Sequence, residues 1–119
     1  KDIAGTEYDA ATAIWKGEWR MPNINEVEEL AKNCTWTWTA QKEVNGYRIV
    51  GPSGKEIFLP AAGQWRNAPI NVGSTGYYWT SSLSDEYSSA AYNLNFTGFS
   101  GRWSANRAYG FCIRAVCNK

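Results

Sequence analysis

The sequence predicts an α+β fold, in which two helices pack on a small twisted antiparallel sheet with long loops. Two segments with helical periodicity and recognisable ends come first in the chain. Several short segments with alternating apolar and polar residues follow, which is the pattern of half-buried strands. Helices that precede the strands, with no helix between successive strands, favour an antiparallel sheet over a parallel one.

The first helix is predicted over residues 5–16, and its end is marked by Gly17. Glycine tolerates the left-handed conformation that commonly follows the last turn of a helix. One face of this helix is apolar. It carries Tyr8, Ala11, Ile14 and Trp15.

The second helix is predicted to start after Pro22. Asn23 is a favourable N-cap, and Glu26 three residues later completes a capping box. The apolar side of this helix carries Ile24, Val27, Leu30, Ala31 and Cys34. Glu28, Glu29 and Lys32 face outward, so the helix is amphipathic.

The strands are predicted from alternation and from turn residues. Residues 47–50 and 56–59 form a hairpin around Gly51-Pro52-Ser53-Gly54, and residues 60–76 are mostly loop. Further strands are predicted over residues 77–82, 91–96 and 111–117. In the segment 36–39 two tryptophans alternate with threonines, which places both rings on one side. The chain contains no internal repeat or linker, so residues 1–119 are predicted to form a single domain.

The composition excludes several classes of partner. The 119 residues carry a net charge of +1, and 44% of them are hydrophobic. A chain without a basic tract is not expected to bind nucleic acid. Membrane insertion is not expected either, because no apolar run approaches the roughly 20 residues of a membrane span.

The segment 76–110 has the composition of a binding surface. It is rich in Tyr, Trp, Phe, Ser, Gly and Asn and contains no lysine. Rigid aromatic rings provide contact area at low entropic cost, while the small polar residues provide adaptable hydrogen bonds. The chain is therefore expected to bind a ligand through this segment.

Alternation divides the segment into predicted core and predicted site. The predicted core residues are Trp79, Tyr92, Leu94, Phe96, Phe111 and Ile113. The predicted ligand-binding residues take the opposite phase or fall in loops: Tyr77, Ser84, Asp85, Tyr87, Ser89, Asn93, Asn95, Phe99, Arg102, Trp103, Asn106 and Tyr109. The alternative is that these are polar loops with scattered aromatic residues. Whether Trp65 borders the site is left open.

The sequence gives little support for a catalytic function. The chain has no histidine, which excludes Ser-His and Cys-His pairs and histidine-liganded metals. It contains no glycine-rich phosphate loop. The adjacent acids Asp85 and Glu86 do not supply the 6–8 oxygen ligands that calcium takes. The prediction is a protein that is not an enzyme and that uses no metal or cofactor.

The three cysteines leave two possibilities open. One disulfide and one free thiol would suit an exported protein, and three buried thiols would suit a reducing compartment.

An ordered set of motifs resembles a bacterial C-type-lectin-like family, named for the paralogous domains of Fibrobacter and common in gut Bacteroidetes. The motifs include residues 19–23, 34–36, 51–54, 57–63, 76–79, 91–96 and 110–114. Some members are variable proteins of diversity-generating retroelements, whose C-terminal codons are mutated by a reverse transcriptase. The resemblance implies a C-type lectin-like fold, with residues 77–112 as a variable region that binds a protein or glycan. It also implies an adhesin or phage receptor-binding domain, located outside the cell, on its surface or on a phage particle.

The sequence departs from the family in two places. Cys112 stands where the family usually has serine, and by this resemblance the family's N-terminal segment, which carries its first strand, is expected to be missing. By resemblance, Cys34 and Cys117 are expected to form a disulfide. Two alternative functions are considered. One is a fixed structural domain of a bacterial surface assembly, and the other is an oxidase similar to formylglycine-generating enzymes. The latter is disfavoured because the separation of Cys112 and Cys117 places them on opposite faces of a strand.

Overall fold

The computed structural model describes residues 2–85, 89–96 and 98–117, with residues 98–103 described by their backbone. The helices are α1 (Ala10–Trp15) and α2 (Ile24–Asn33). The strands are β1 (Trp19–Arg20), β2 (Thr35–Gln41), β3 (Val44–Val50), β4 (Glu56–Pro60), β5 (Gln64–Trp65), β6 (Pro69–Ile70), β7 (Tyr77–Leu83), β8 (Ala90–Asn95), β9 (Gly98–Asn106) and β10 (Val116–Cys117). No described helix has both the length and the apolar character needed to cross a membrane.

The predicted α+β, C-type-lectin-like fold class is wrong. The structure is mostly β, with about 45% strand and 15% helix. The strands form several small sheets, ordered β1-β10, β2-β3-β4, β5-β6 and β7-β8-β9. More of the chain is extended than alternation indicated. Strand β2 continues on both sides of the alternating segment 36–39, and β9 lies in a segment that was predicted as loop.

The helices show how local signals set their ends. The capping box of α2 is present as predicted, with Asn23 Oδ1 accepting from the Glu26 backbone N–H at 2.9 Å. The side chain of Glu26 accepts from the Asn23 N–H and also pairs with Arg20 through two contacts of 2.7 and 2.8 Å. Helix α1 is shorter than predicted, because Asp9 caps it and the residues before Asp9 form turns.

The predicted hairpin of β3 and β4 is confirmed, and β2 adds to it on the other side of β3. The segment predicted as loop over residues 60–76 contains the two short strands β5 and β6. The predicted last strand is reduced to β10, which pairs with the two residues of β1.

The core lies between α2 and the two three-stranded sheets. Its buried members are Val27, Ile49, Leu59, Ala61, Tyr78, Leu94 and Phe96. Each fully buried aliphatic side chain contributes about 1.5–3 kcal/mol relative to exposure. The Tyr78 hydroxyl is satisfied inside this core, because it donates to the Pro60 carbonyl oxygen at 2.7 Å. Burial raises the pKa of this phenol, so it stays neutral.

Candidate functional site

Strand β7 separates the core from a second, aromatic surface. Tyr78 and Thr80 are buried, and Tyr78 belongs to the core cluster. Tyr77 and Trp79 are half-buried and point to the other side, because successive residues of a strand alternate between faces. We call the side of β7 that carries Tyr77 and Trp79 the outer face.

The register extends the outer face onto β8. Tyr77 pairs with Asn95, and Trp79 pairs with Asn93. Directly paired residues lie on the same face of a sheet. The phase predicted for these two asparagines is therefore correct.

The predicted exposure of the two asparagines is wrong. Asn93 is 2% exposed and Asn95 is 6% exposed, and the Asn95 side-chain amide donates to Asn93 Oδ1 at 3.4 Å. The physical reason is that β8 is buried along both faces. Alternation in such a strand reports the face of a residue and not its contact with solvent.

Phe111 completes an aromatic stack on the outer face. The Cys112 N–H donates to the Tyr77 carbonyl oxygen, and the Trp79 N–H donates to the Cys112 carbonyl oxygen, each at 3.0 Å. This parallel bridge sets Phe111 beside β7. Its ring stacks on Trp79 at a centroid distance of 4.3 Å and on Tyr77 at 5.0 Å. We call Trp79, Tyr77 and Phe111 the aromatic stack.

The aromatic stack continues into Tyr109 and Arg66. The ring centroids of Tyr109 and Phe111 are 6.2 Å apart, and the Arg66 guanidinium carbon lies 3.7 Å from the Tyr109 centroid. Arg66 Nε also donates to Gln64 Oε1 at 2.8 Å. A cation over an aromatic face contributes about 0.5–1 kcal/mol at an exposed site. The ring of Tyr109 and the side chain of Gln64 together hold the guanidinium in place.

The hairpin of β5 and β6 brings a further tryptophan next to the same segment. Trp65 and Gly110 exchange two backbone hydrogen bonds of 2.7 and 2.9 Å. A Cβ at Gly110 would lie 2.7 Å from the Trp65 Cβ, so this close approach requires glycine. The Trp65 side chain is left 56% exposed.

A cavity of about 810 Å³ adjoins the aromatic stack, and Trp79 is part of its wall. Residues of the N-terminal segment, α1, β7 and β8 line it, with mostly apolar side chains such as Ile3, Met21 and Leu83. Asp2, Glu7 and Arg107 add charge. Ligand cavities commonly measure about 300–1,000 Å³ and combine apolar walls with a few polar groups.

Four predicted site residues gather at the end of the sheet where β7 turns into β8. The Ser84 N–H donates to the Ala90 carbonyl oxygen at 3.0 Å, and Ala90 pairs with Asn106. Asp85 and Ser89 are exposed in the same turn region, as is Asn106 at the end of β9. Tyr77 lies at the opposite end of β7, so the predicted residues do not form one compact cluster.

Other predicted site residues fall outside the described part of the chain. Tyr87 lies outside the described residues, and the side chains of Phe99, Arg102 and Trp103 lie outside the described side chains. Their part in binding stays a prediction.

Sequence reasoning misplaced Trp79 and Phe111, which were predicted to be core and instead form the half-buried stack. Leu94 and Phe96 are buried as predicted. Arg66 was missed, and the only signal for it is a tryptophan–arginine pair inside a loop rich in glycine and proline.

The structure does not contain the disulfide that the resemblance implied. Cys34, Cys112 and Cys117 are all free thiols, so the Cys34–Cys117 bond is not formed. Cys34 is the C-cap of α2 and packs at the edge of the core, whereas Cys117 lies in β10 against Trp19. Burial raises the pKa of the Cys112 thiol. In the described part of the chain, no group of three or more acids and cysteines is arranged to hold a metal.

Comparison of the chain with protein-family models, with curated proteins and with solved structures finds no match. The resemblance to the C-type-lectin-like family therefore remains an expectation from the sequence.

Proposed function

We propose that this chain is a non-enzymatic recognition domain that binds a protein or glycan through the outer face of β7. The aromatic stack beside the cavity is the observation that carries the proposal. Tryptophan, tyrosine and arginine are the residues that most often dominate binding energy, with losses of about 2 kcal/mol or more when a central one is truncated.

The geometry supports recognition of a ligand with both apolar and polar groups. The half-buried rings of the aromatic stack hold one another, so little side-chain freedom is lost when a ligand covers them. Arg66 is fixed over Tyr109 and supplies hydrogen-bond donors at the edge of the rings. Flat apolar area with fixed donors at its edge suits a sugar ring as well as a protein side chain.

An oxidase that uses a cysteine pair is less well supported. The reactive form of cysteine is the thiolate. Burial raises the pKa of Cys112, which lowers its thiolate fraction at neutral pH. Cys117 is bound into the β1-β10 pair, away from the bridge that holds Cys112 against Tyr78.

Diversification by a retroelement, and a place on a cell surface or phage particle, belong to the same proposal through the sequence resemblance. The competing function is a fixed structural domain of a surface assembly. Sequencing of many isolates separates the two. Changes concentrated at Tyr77, Ser84 and Tyr109, with Leu94 and Phe96 constant, support diversification. Even drift along the chain contradicts it.

The binding proposal is tested with the protein immobilised and screened against host glycans and host surface proteins. For a ligand found in this way, Trp79→Ala should weaken binding by about 30-fold, the equivalent of 2 kcal/mol. Trp15→Ala is the matched control, because Trp15 is 56% exposed on α1 and does not line the cavity. It should leave binding unchanged.

A second variant guards against a folding defect in Trp79→Ala. Tyr109→Ala removes a ring at the margin of the stack and the platform for Arg66. Unchanged affinity in both variants, with cooperative unfolding preserved, would remove the basis for placing the binding surface on this face.

A further inference from the structure

Strand β2 has an open edge. The order of its sheet is β2-β3-β4, so β3 pairs with one side of β2 along all seven residues from Thr35 to Gln41. None of the described strands pairs with the other side. Alternate N–H and C=O groups of an edge strand point away from its neighbour and can pair with another chain.

This edge lacks the features that normally prevent pairing between chains. The sequence from residue 35 to residue 41 is Thr-Trp-Thr-Trp-Thr-Ala-Gln, which contains no charge and no proline. Proteins commonly protect an exposed edge with lysine, proline or a bulge. The register of β2 on β3 is continuous from end to end, so no bulge interrupts it.

The sequence of the strand is complementary to itself. Residues 35–39 read the same in both directions around Thr37. In an antiparallel pair centred on Thr37, threonine meets threonine on one face, and Trp36 meets Trp38 on the other. Threonine pairs and aromatic pairs are both favourable across strands. A two-fold interface requires this kind of self-complementarity.

Within one copy, the two tryptophans of this face are already packed against a neighbouring side chain. Trp36 and Trp38 both pack edge-on against Tyr47, with ring centroids 5.3 and 5.1 Å away. Trp36 is held further, because its Nε1–H donates to the Leu30 carbonyl oxygen at 3.0 Å. Trp38 remains 44% exposed. A second copy in this register would bring its Trp36 against the exposed Trp38.

We propose that β2 pairs with β2 of a second copy of this chain, antiparallel and centred on Thr37, to make a six-stranded sheet across a two-fold axis. The net charge of +1 opposes association of two copies only weakly. Pairing through β2 is independent of the proposed ligand binding, since β2 contributes nothing to the aromatic stack.

Charge substitutions at the two-fold axis test the pairing. Thr37 is exposed, so Thr37→Lys and Thr37→Glu keep the monomer folded while each homodimer sets two like charges opposite each other. Analytical ultracentrifugation should show a dimer for the unaltered protein and a dissociation constant at least about tenfold higher for either variant. An equimolar mixture of the two variants should dimerise again, because lysine then faces glutamate.

Three outcomes would overturn the proposal. The first is a monomer for the unaltered protein at concentrations up to about 1 mM, where even contacts of about 4 kcal/mol are populated. The second is a dimer that neither substitution weakens, which places the interface elsewhere. The third is a mixture of the two variants that stays monomeric, which excludes pairing centred on Thr37.

Discussion

Asp9 is a buried carboxylate that joins three parts of the N-terminal region. Its side chain is fully buried. Oδ1 accepts from the N–H groups of Ala11 and Thr12 at 2.9 and 3.2 Å, and Oδ2 accepts from Gly5 at 3.1 Å. Both oxygens accept from the Met21 N–H, at 3.2 and 3.0 Å. The carboxylate thus caps α1 and fixes α1 against the segment that follows β1.

Asp9→Ala removes the acceptor of four backbone N–H groups. Ala11 and Met21 are themselves buried, and an unsatisfied buried donor costs about 1–3 kcal/mol. We expect the free energy of unfolding in urea to fall by about 2–5 kcal/mol. Asp9→Asn keeps one acceptor oxygen but turns an N–H₂ group toward donors, so its loss should be smaller. The control is Asp85→Ala at an exposed acid, which should change stability by less than about 0.5 kcal/mol.

The same carboxylate gives a pH signature. Burial raises the pKa of Asp9, but hydrogen bonds from the backbone of Met21, Gly5 and Thr12 together outweigh it and leave the folded pKa below the ordinary 3.8. A lowered folded pKa means that the stabilisation is complete above the unfolded pKa and is lost as the pH falls through the folded pKa. Asp9→Asn should flatten the acid side of the stability curve. An Asp9→Ala variant as stable as the unaltered protein, with an unchanged pH profile, would refute this role of the carboxylate.

Two further predictions concern the thiols and a glycine. All three cysteines should titrate in urea without reductant, and Cys112 should react slowly in the folded protein because it is half-buried and its pKa is raised; a count of one would contradict this and show that two of the three cysteines form a disulfide. Gly63→Ala should destabilise by more than about 2 kcal/mol, since its φ is +67° and a Cβ would collide with the Ile70 carbonyl oxygen. Gly5→Ala, with a φ of +77° and open space around it, is the matched control and should cost about 1 kcal/mol; equal losses in thermal unfolding would remove the steric argument.

Features fixed by neighbours in the sequence could be predicted, and α2 is the clearest case. Its start depends on Asn23 and Glu26, which interact within one turn. The hairpin of β3 and β4 follows in the same way from a four-residue turn between two apolar runs. These signals act over a few residues, so they survive whatever the rest of the chain does.

Strands that are held by pairing with a neighbouring strand, and not by their own residue preferences, could not be predicted. Strand β9 has the sequence Gly-Phe-Ser-Gly-Arg-Trp-Ser-Ala-Asn, whose glycines and serines are poor strand formers, yet it pairs with β8. Pairing with a neighbour overrides a weak intrinsic preference. The fold class was wrong for the same reason, because strands of this kind add sheet where the sequence indicates loop.

The candidate site combines both kinds of feature, which explains how far composition could identify it. Alternation along β7 puts Tyr77 and Trp79 on one face, and that much follows from the sequence. Their stacking on Phe111 depends on the bridge between Tyr78 and Cys112, two residues far apart in the chain. Moving that bridge by one residue would turn Phe111 to the core face, because each step along a strand reverses the side chain. The aromatic surface is therefore a property of register, and a variant that shifts this bridge should lose the stack even with every aromatic residue retained.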